Sequence, residues 1–140
     1  MKRETLGNVA EAFAVKHVAG EKSNHDFMEM LKYYPENDAD EFRSGWCCAF
    51  VYHCCREAGL DLPLGTHKTV RKDHFRWFTS CIAWFEWAQI NGIIYNESPN
   101  FIPERGDIVI YNNIIPEEHK QEDSLFTSIR PPQWMMAWNG

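Results

Sequence analysis

The chain has 140 residues, 44% of them hydrophobic, and a formal net charge of -6. That length fills one compact domain with a sizeable core and not two. The acidic balance, without a long Lys/Arg cluster, argues against a phosphate-tracking surface and so against nucleic acid as a partner. Six Trp, nine Phe and five Tyr suit a packed aromatic core or a ligand groove. Met1-Lys2-Arg3 is basic, but Glu4 follows and no apolar run approaches the roughly 18 residues of a membrane span, so neither a signal peptide nor a span is expected. Of the five cysteines, four share one short stretch. Neighbours on one helix have the wrong geometry for mutual disulfides, so synthesis in a reducing compartment, the cytoplasm, is expected.

In chain order, residues 1–20 predict a helix whose apolar stripe includes Val9, Phe13, Val15, His17 and Val18, with Gly20 as its stop. A second helix is expected within 21–34, capped by Asn24 and carrying Phe27, Met28, Leu31, Tyr33 and Tyr34 at helical spacing. Pro35 to Glu41 reads as an acidic, solvated loop. From Gly45 to Leu60 a buried helix is expected, with Ser44 or Gly45 as N-cap and Gly59 as the C′ glycine. Asp61 to Gly65 breaks the chain, and residues 66–77 read as a mixed segment with Lys68, Arg71, Lys72, His74 and Arg76 on its surface. Thr79 or Ser80 caps a short helix through Gln89, whose Trp84, Phe85, Trp87 and Ala88 form a core face. Asn91-Gly92 is a turn, and Ile93-Ile94-Tyr95 a short strand. Pro103 with Gly106-Asp107 makes a tight turn into the strand Ile108-Val109-Ile110-Tyr111. The tail, 113–140, does not continue this pattern. Pro131-Pro132 blocks regular structure there, and Trp134, Met135, Met136 and Trp138 end the chain with exposed-looking hydrophobes.

The chemistry sits in Trp46-Cys47-Cys48-Ala49-Phe50-Val51-Tyr52-His53-Cys54-Cys55. A thiol in the first turn of a helix faces unpaired backbone N–H groups and the positive end of the helix dipole, which favours thiolate. Metal binding within this helix is disfavoured by spacing. Cys47 and Cys54 lie about 10.5 Å apart along the axis at 1.5 Å per residue, whereas two thiolates on one zinc lie within roughly 4 Å. His53 is five residues from Cys48, and no Cys-x-x-Cys pair exists for zinc or redox work. Nucleophilic cysteine chemistry needs a thiolate and a histidine base from elsewhere in the fold. His53 is about two turns from Cys47 on the same helix and cannot serve it.

Trp46-Cys47-Cys48-Ala49-Phe50-Val51, followed by Cys54 and Glu57-Ala58-Gly59, resembles the nucleophile helix of CHAP and NlpC/P60 proteins, papain-like cysteine amidases and endopeptidases that cut peptidoglycan. Pro103-Glu104-Arg105-Gly106-Asp107-Ile108-Val109-Ile110-Tyr111 resembles their second hallmark, a Pro-x-x-Gly-Asp turn entering the first core strand. The likeness spans residues 40–112. It implies a single CHAP-like domain over 1–140 with an α+β, papain-like fold, N-terminal helices packed on a small antiparallel sheet. It implies Cys47 as nucleophile, with Cys48, Cys54 and Cys55 as packing and Asp107 holding the turn. It implies hydrolysis of cell-wall amide bonds in a peptidoglycan peptide, without a cofactor or metal. The family's histidine begins the next strand. Here His119 alone falls in that region, followed by Lys120-Gln121-Glu122-Asp123, which is not a buried strand. Two expectations compete for this departure: a reading frame truncated or shifted after residues 115–125, or a variant that has lost its base. The Pro-Pro and Trp/Met-rich end favours the first, and missing strands would then leave a sheet edge unpaired. Wall access would need dedicated export or a phage-type or mobile-element route. The alternative function is an inactive binding module of the same fold.

Overall fold

The computed structural model describes residues 2–34, 46–67, 75–96, 98–111 and 126–131. Among these the fold is mixed α+β: four helices, a two-stranded sheet and a three-stranded antiparallel sheet. The helices are α1 (Lys2–Ala14), α2 (His25–Leu31), α3 (Cys47–Glu57) and α4 (Cys81–Ile90). The strands are β1 (Gly65–His67), β2 (Phe75–Trp77), β3 (Ile94–Asn96), β4 (Ile108–Tyr111) and β5 (Phe126–Ile129). None of the described helices is long and apolar enough to cross a membrane.

Local chemistry places the helix ends. Asn24 caps α2 by accepting a hydrogen bond from the Phe27 N–H at 3.0 Å. Both α3 and α4 end in the same glycine motif. Gly59 takes a φ of 87° and Gly92 one of 66°, the left-handed region where glycine carries no Cβ penalty. The next residue then turns its N–H back on the last turn: Leu60 donates to the Cys55 carbonyl at 2.9 Å, and Ile93 to the Ala88 carbonyl at 3.0 Å. Leu60 and Ile93 enter the core as they do so, so each glycine both ends a helix and seats the hydrophobe after it.

Helix α3 is the centre of the core and packs against α1 and α2. Tyr52, fully buried, sits among the rings of Tyr33, Tyr34, Phe78 and Trp84 at centroid distances of 5.2, 5.9, 5.8 and 6.4 Å. Phe78 stacks on Trp84 at 4.5 Å, and the Trp84 indole N–H donates to the Phe78 carbonyl at 2.9 Å, so this large ring is buried without an orphaned donor.

The sheet order is β3-β5-β4, all antiparallel. Ile94 and Ile108 both register with Ile129, giving a row of three isoleucines across the sheet. Ile129 is wholly buried and belongs to the same core cluster as α3 and α4. The central strand is thus drawn from the tail, in which no strand was expected. Four residues suffice because both neighbours pair with them; the sequence signal is weak because Thr127 and Ser128 are polar yet buried. Three other expectations are corrected. Helix α1 stops at Ala14 rather than near Gly20, and Val15 is 75% exposed rather than part of the apolar stripe. The described ends of the segment read as 66–77 pair as strands β1 and β2, with Gly65 opposite Trp77. The residue in N-cap position on α3 is Trp46, without a side-chain cap; Ser44 and Gly45 lie outside the described residues, as do Lys68, Arg71, Lys72, His74 and Trp134 to Trp138.

The Pro103–Asp107 turn ties the sheet to α1. The buried Asp107 carboxylate accepts from the Glu104 N–H at 2.8 Å and from Arg130 Nε and Nη2 at 3.0 and 2.7 Å. Arg130 also donates to the Ile102 carbonyl and lies over the Phe101 ring at 4.3 Å. Gly106, with φ at 95°, lets the turn approach α1 so closely that an added Cβ would meet the Arg3 carbonyl oxygen at 2.2 Å. Arg105 bonds Glu11 and Asn8 on the same helix. Asp107 therefore holds the turn. Asp107→Ala strands a largely covered arginine and a turn N–H, and is expected to cost about 2–4 kcal/mol, somewhat less than a fully buried pair because Arg130 keeps some solvent. Urea denaturation measures this, and a loss below about 1 kcal/mol contradicts the role.

Candidate active site

Cys47 is the first residue of α3 and is exposed, whereas Cys48, Cys54 and Cys55 behind it are buried. Arg56 and Glu57 are exposed at the far end of the helix, and the N-terminal turn is where its exposed thiol lies. There Cys47 faces a cleft of about 440 Å³ lined by Phe13, Ala14, His17, Val18, Trp46 and Phe50. The walls are apolar, and the thiol and the His17 imidazole are the polar groups of reactive chemistry on them. Trp46 is held edge-on by Phe27 at 5.6 Å and Phe50 at 6.4 Å. Phe13 meets Phe50 edge-on at 6.2 Å, closing the floor between α1 and α3.

His17 ends the turn after α1 with φ at 52°. A side chain in this left-handed conformation costs about 1–2 kcal/mol relative to glycine, the residue that usually fills it. The histidine is kept at that expense on the rim of the Cys47 cleft.

On its other side Cys47 meets a cavity of about 190 Å³ shared with Cys48, Val51, Cys81, Trp84 and β4 residues Ile108 to Tyr111. Cys81 is the first residue of α4, so two helix N-termini converge here. The Cys48 and Cys81 sulfurs are 2.9 Å apart, and the sulfurs of Cys47, Cys48 and Cys81 all lie within 4.8 Å of one another. Hydrogen bonding from Cys48, helped by Cys47 and the Cys81 backbone N–H, pulls the Cys81 thiol down to about 7 against the opposing effect of burial. Cys48 moves the other way, first because it donates to Cys81 and then because it is buried. Burial pushes the Cys54 thiol up to about 12 and raises Cys55 as well, consistent with packing roles.

The remaining histidines divide plainly. His53 is buried, with Nδ1 2.7 Å from the Tyr33 hydroxyl, its ring 5.1 Å from Phe13, and Nε2 4.0 Å from Glu57. With Tyr33 donating, the ring proton sits on Nε2 toward Glu57. Its polar partners are Tyr33 and Glu57 rather than Cys47. His119, the candidate base in the sequence, lies outside the described residues. The described strand that follows β4 is β5, and its first residue is Phe126, paired with Tyr111 on the wall of the thiol cavity. No histidine stands at the start of that strand. Sequence reasoning passed over Cys81 and His17. Cys81 carried one available signal: it follows Ser80, which reads as a helix N-cap. For His17 there was no signal, since a position inside a long apolar stripe concealed that the helix ends before it.

The chain matches no protein-family model, and no curated protein and no solved structure shows a significant match to it.

The buried His53 also fixes a pH response. Burial lowers its pKa from the ordinary 6.5, with Glu57 opposing weakly. Between the two values the unfolded chain binds more protons, so this group's contribution to stability is complete above pH 6.5 and is lost as pH falls through the folded-state value. The melting temperature is expected to fall between about pH 7.5 and about pH 5.5, and less steeply in His53→Gln, which keeps an acceptor for Tyr33 but does not titrate. Parallel curves for the two proteins contradict a buried neutral imidazole.

Proposed function

We propose that the protein is a cysteine-dependent amide hydrolase of papain-like architecture, with Cys47 as nucleophile and His17 as acid–base group. The observation that carries this reading is the exposed thiol on the first residue of a core helix, opening into an apolar cleft that also holds an imidazole. Support also comes from β4, the strand entered through Pro103–Asp107, which lies along the cavity beside Cys47. That is the relation between nucleophile helix and first core strand implied by the CHAP and NlpC/P60 resemblance. Peptidoglycan peptide as the substrate class rests on that resemblance alone.

In this mechanism a substrate acyl group enters the cleft and the Cys47 sulfur attacks its carbonyl carbon, giving its proton to the His17 imidazole. The oxyanion faces the free N–H groups of the first turn of α3. Collapse breaks the C–N bond, and the imidazolium returns the proton to the leaving amine. Water, deprotonated by the same imidazole, then attacks the thioester and releases the acid and the free thiol. No metal or organic group is needed for these steps.

A second reading, an inactive binding module of the same fold, is favoured by Phe126 at the entry to β5. Turnover separates the two. Release of new amines from purified peptidoglycan by the wild type, abolished in Cys47→Ser and retained in Cys54→Ser, is expected for the hydrolase. His17→Gly is expected to reduce the rate by about 10²–10⁴-fold while raising stability by roughly 0.4–1 kcal/mol, since glycine relieves the left-handed φ. A variant that gains stability without losing rate removes His17 from the mechanism. Binding of wall peptide without turnover in the wild type establishes the module instead.

A further inference from the structure

The three sulfurs of Cys47, Cys48 and Cys81 form a donor set that spacing along one helix cannot disclose, because the third member arrives from α4. We propose that they constitute a binding site for one soft d10 metal ion, Zn²⁺ or a thiophilic ion of the same charge, with one coordination position left open. This inference does not rest on the hydrolase reading.

The geometry is close to what such an ion needs. Two thiolates bound to one zinc at about 2.3 Å have sulfurs roughly 3.8–4.0 Å apart. Here the pairs run from 2.9 Å for Cys48 and Cys81 up to at most 4.8 Å. Changes of about 1 Å at the side chains bring all three onto a common centre. The donors are all sulfur, and thiolates select soft ions over magnesium or calcium. Among the described residues no fourth His, Cys, Asp or Glu joins the group, so the fourth position would fall to water or a small ligand from the cavity.

Charge also favours the site. Three thiolates around a divalent ion leave one net negative charge. Both α3 and α4 point their N-termini at the cluster, and each presents about half a positive charge there. The wall formed by Trp84 and Ile108 to Tyr111 is apolar and limits competition from water. Binding displaces the thiol protons still present, up to three per ion, and changes no oxidation state. It also ties up Cys47, so an ion in this site and covalent chemistry at that sulfur exclude one another.

The test uses the full chain, fully reduced and free of metal, titrated with Cd²⁺ while thiolate-to-metal charge-transfer absorption and proton release are followed. The expected result is saturation at one ion per chain, with Zn²⁺ in excess competing for the same site. Cys81→Ser and Cys47→Ser are each expected to weaken binding by at least about 100-fold, while Cys54→Ser leaves it within about threefold of wild type. Cys47 is exposed, so its variant keeps the fold and remains informative even if Cys81→Ser unfolds. The proposal is overturned by an absence of saturable absorption in the wild type. It is equally overturned by Cys47→Ser binding as tightly as wild type, or by binding that is lost in Cys54→Ser. None of these readouts depends on hydrolysis, so the site and the hydrolase reading succeed or fail separately.

Discussion

Helix α3 turns most of its surface into the core and is exposed at Cys47 at its start and at Arg56 and Glu57 at its end. Cys48, Ala49, Tyr52, His53, Cys54 and Cys55 are all buried, and the rings of Tyr33, Tyr34, Phe78 and Trp84 surround Tyr52. A helix enclosed in this way can present chemistry only at its ends. At its C-terminal end Arg56 and Glu57 are exposed, and Gly59 and Leu60 fold the chain back into the core. The N-terminal turn carries the exposed thiol, Cys47. Enclosure therefore does two things together: it fixes the direction in which the thiol points, and it leaves the free N–H groups of that turn facing the same space.

The rest of the fold can be understood as what brings walls to that point. On one side α1 supplies Phe13, Ala14 and His17. Its position is set by the turn at Pro103–Asp107, where Gly106 admits the Arg3 carbonyl and Arg105 reaches back to Glu11 and Asn8. The same turn, locked by Asp107 and Arg130, aims β4 along the cavity on the other side of Cys47. One buried carboxylate thus couples the two walls. Helix α4, stacked through Trp84 and Phe78, completes the arrangement by placing Cys81 against Cys48.

Much of this was legible in the sequence where local chemistry decides the outcome. Asn24 as cap, Gly59 and Asn91-Gly92 as stops and the Trp84 face as core are each set by a few neighbouring residues, and the structure agrees with all of them. What escaped depends on contacts between distant segments. The strand Phe126–Ile129 looks unpromising alone, with two polar residues in four, and becomes the centre of the sheet only because β3 and β4 flank it. Cys81 joins Cys47 and Cys48 across a separation of more than thirty residues, which no spacing rule within a helix can detect. His17 was hidden by a continuous apolar pattern. The pattern persists past Ala14, but the backbone leaves the helix there and passes into a left-handed conformation at His17.

The central claim is that the thiol at the start of α3 is the reactive group of this molecule. Its most direct measurement is the rate of carbamidomethylation of each cysteine in the native protein by iodoacetamide at about pH 6.5, read by peptide mass spectrometry against glutathione as the free-thiol standard. The account predicts that Cys47 is modified at least about tenfold faster than glutathione, with Cys54 and Cys55 protected until the protein is unfolded. Modification of Cys47 no faster than glutathione, or labelling of Cys54 or Cys55 ahead of it in the folded protein, would contradict it.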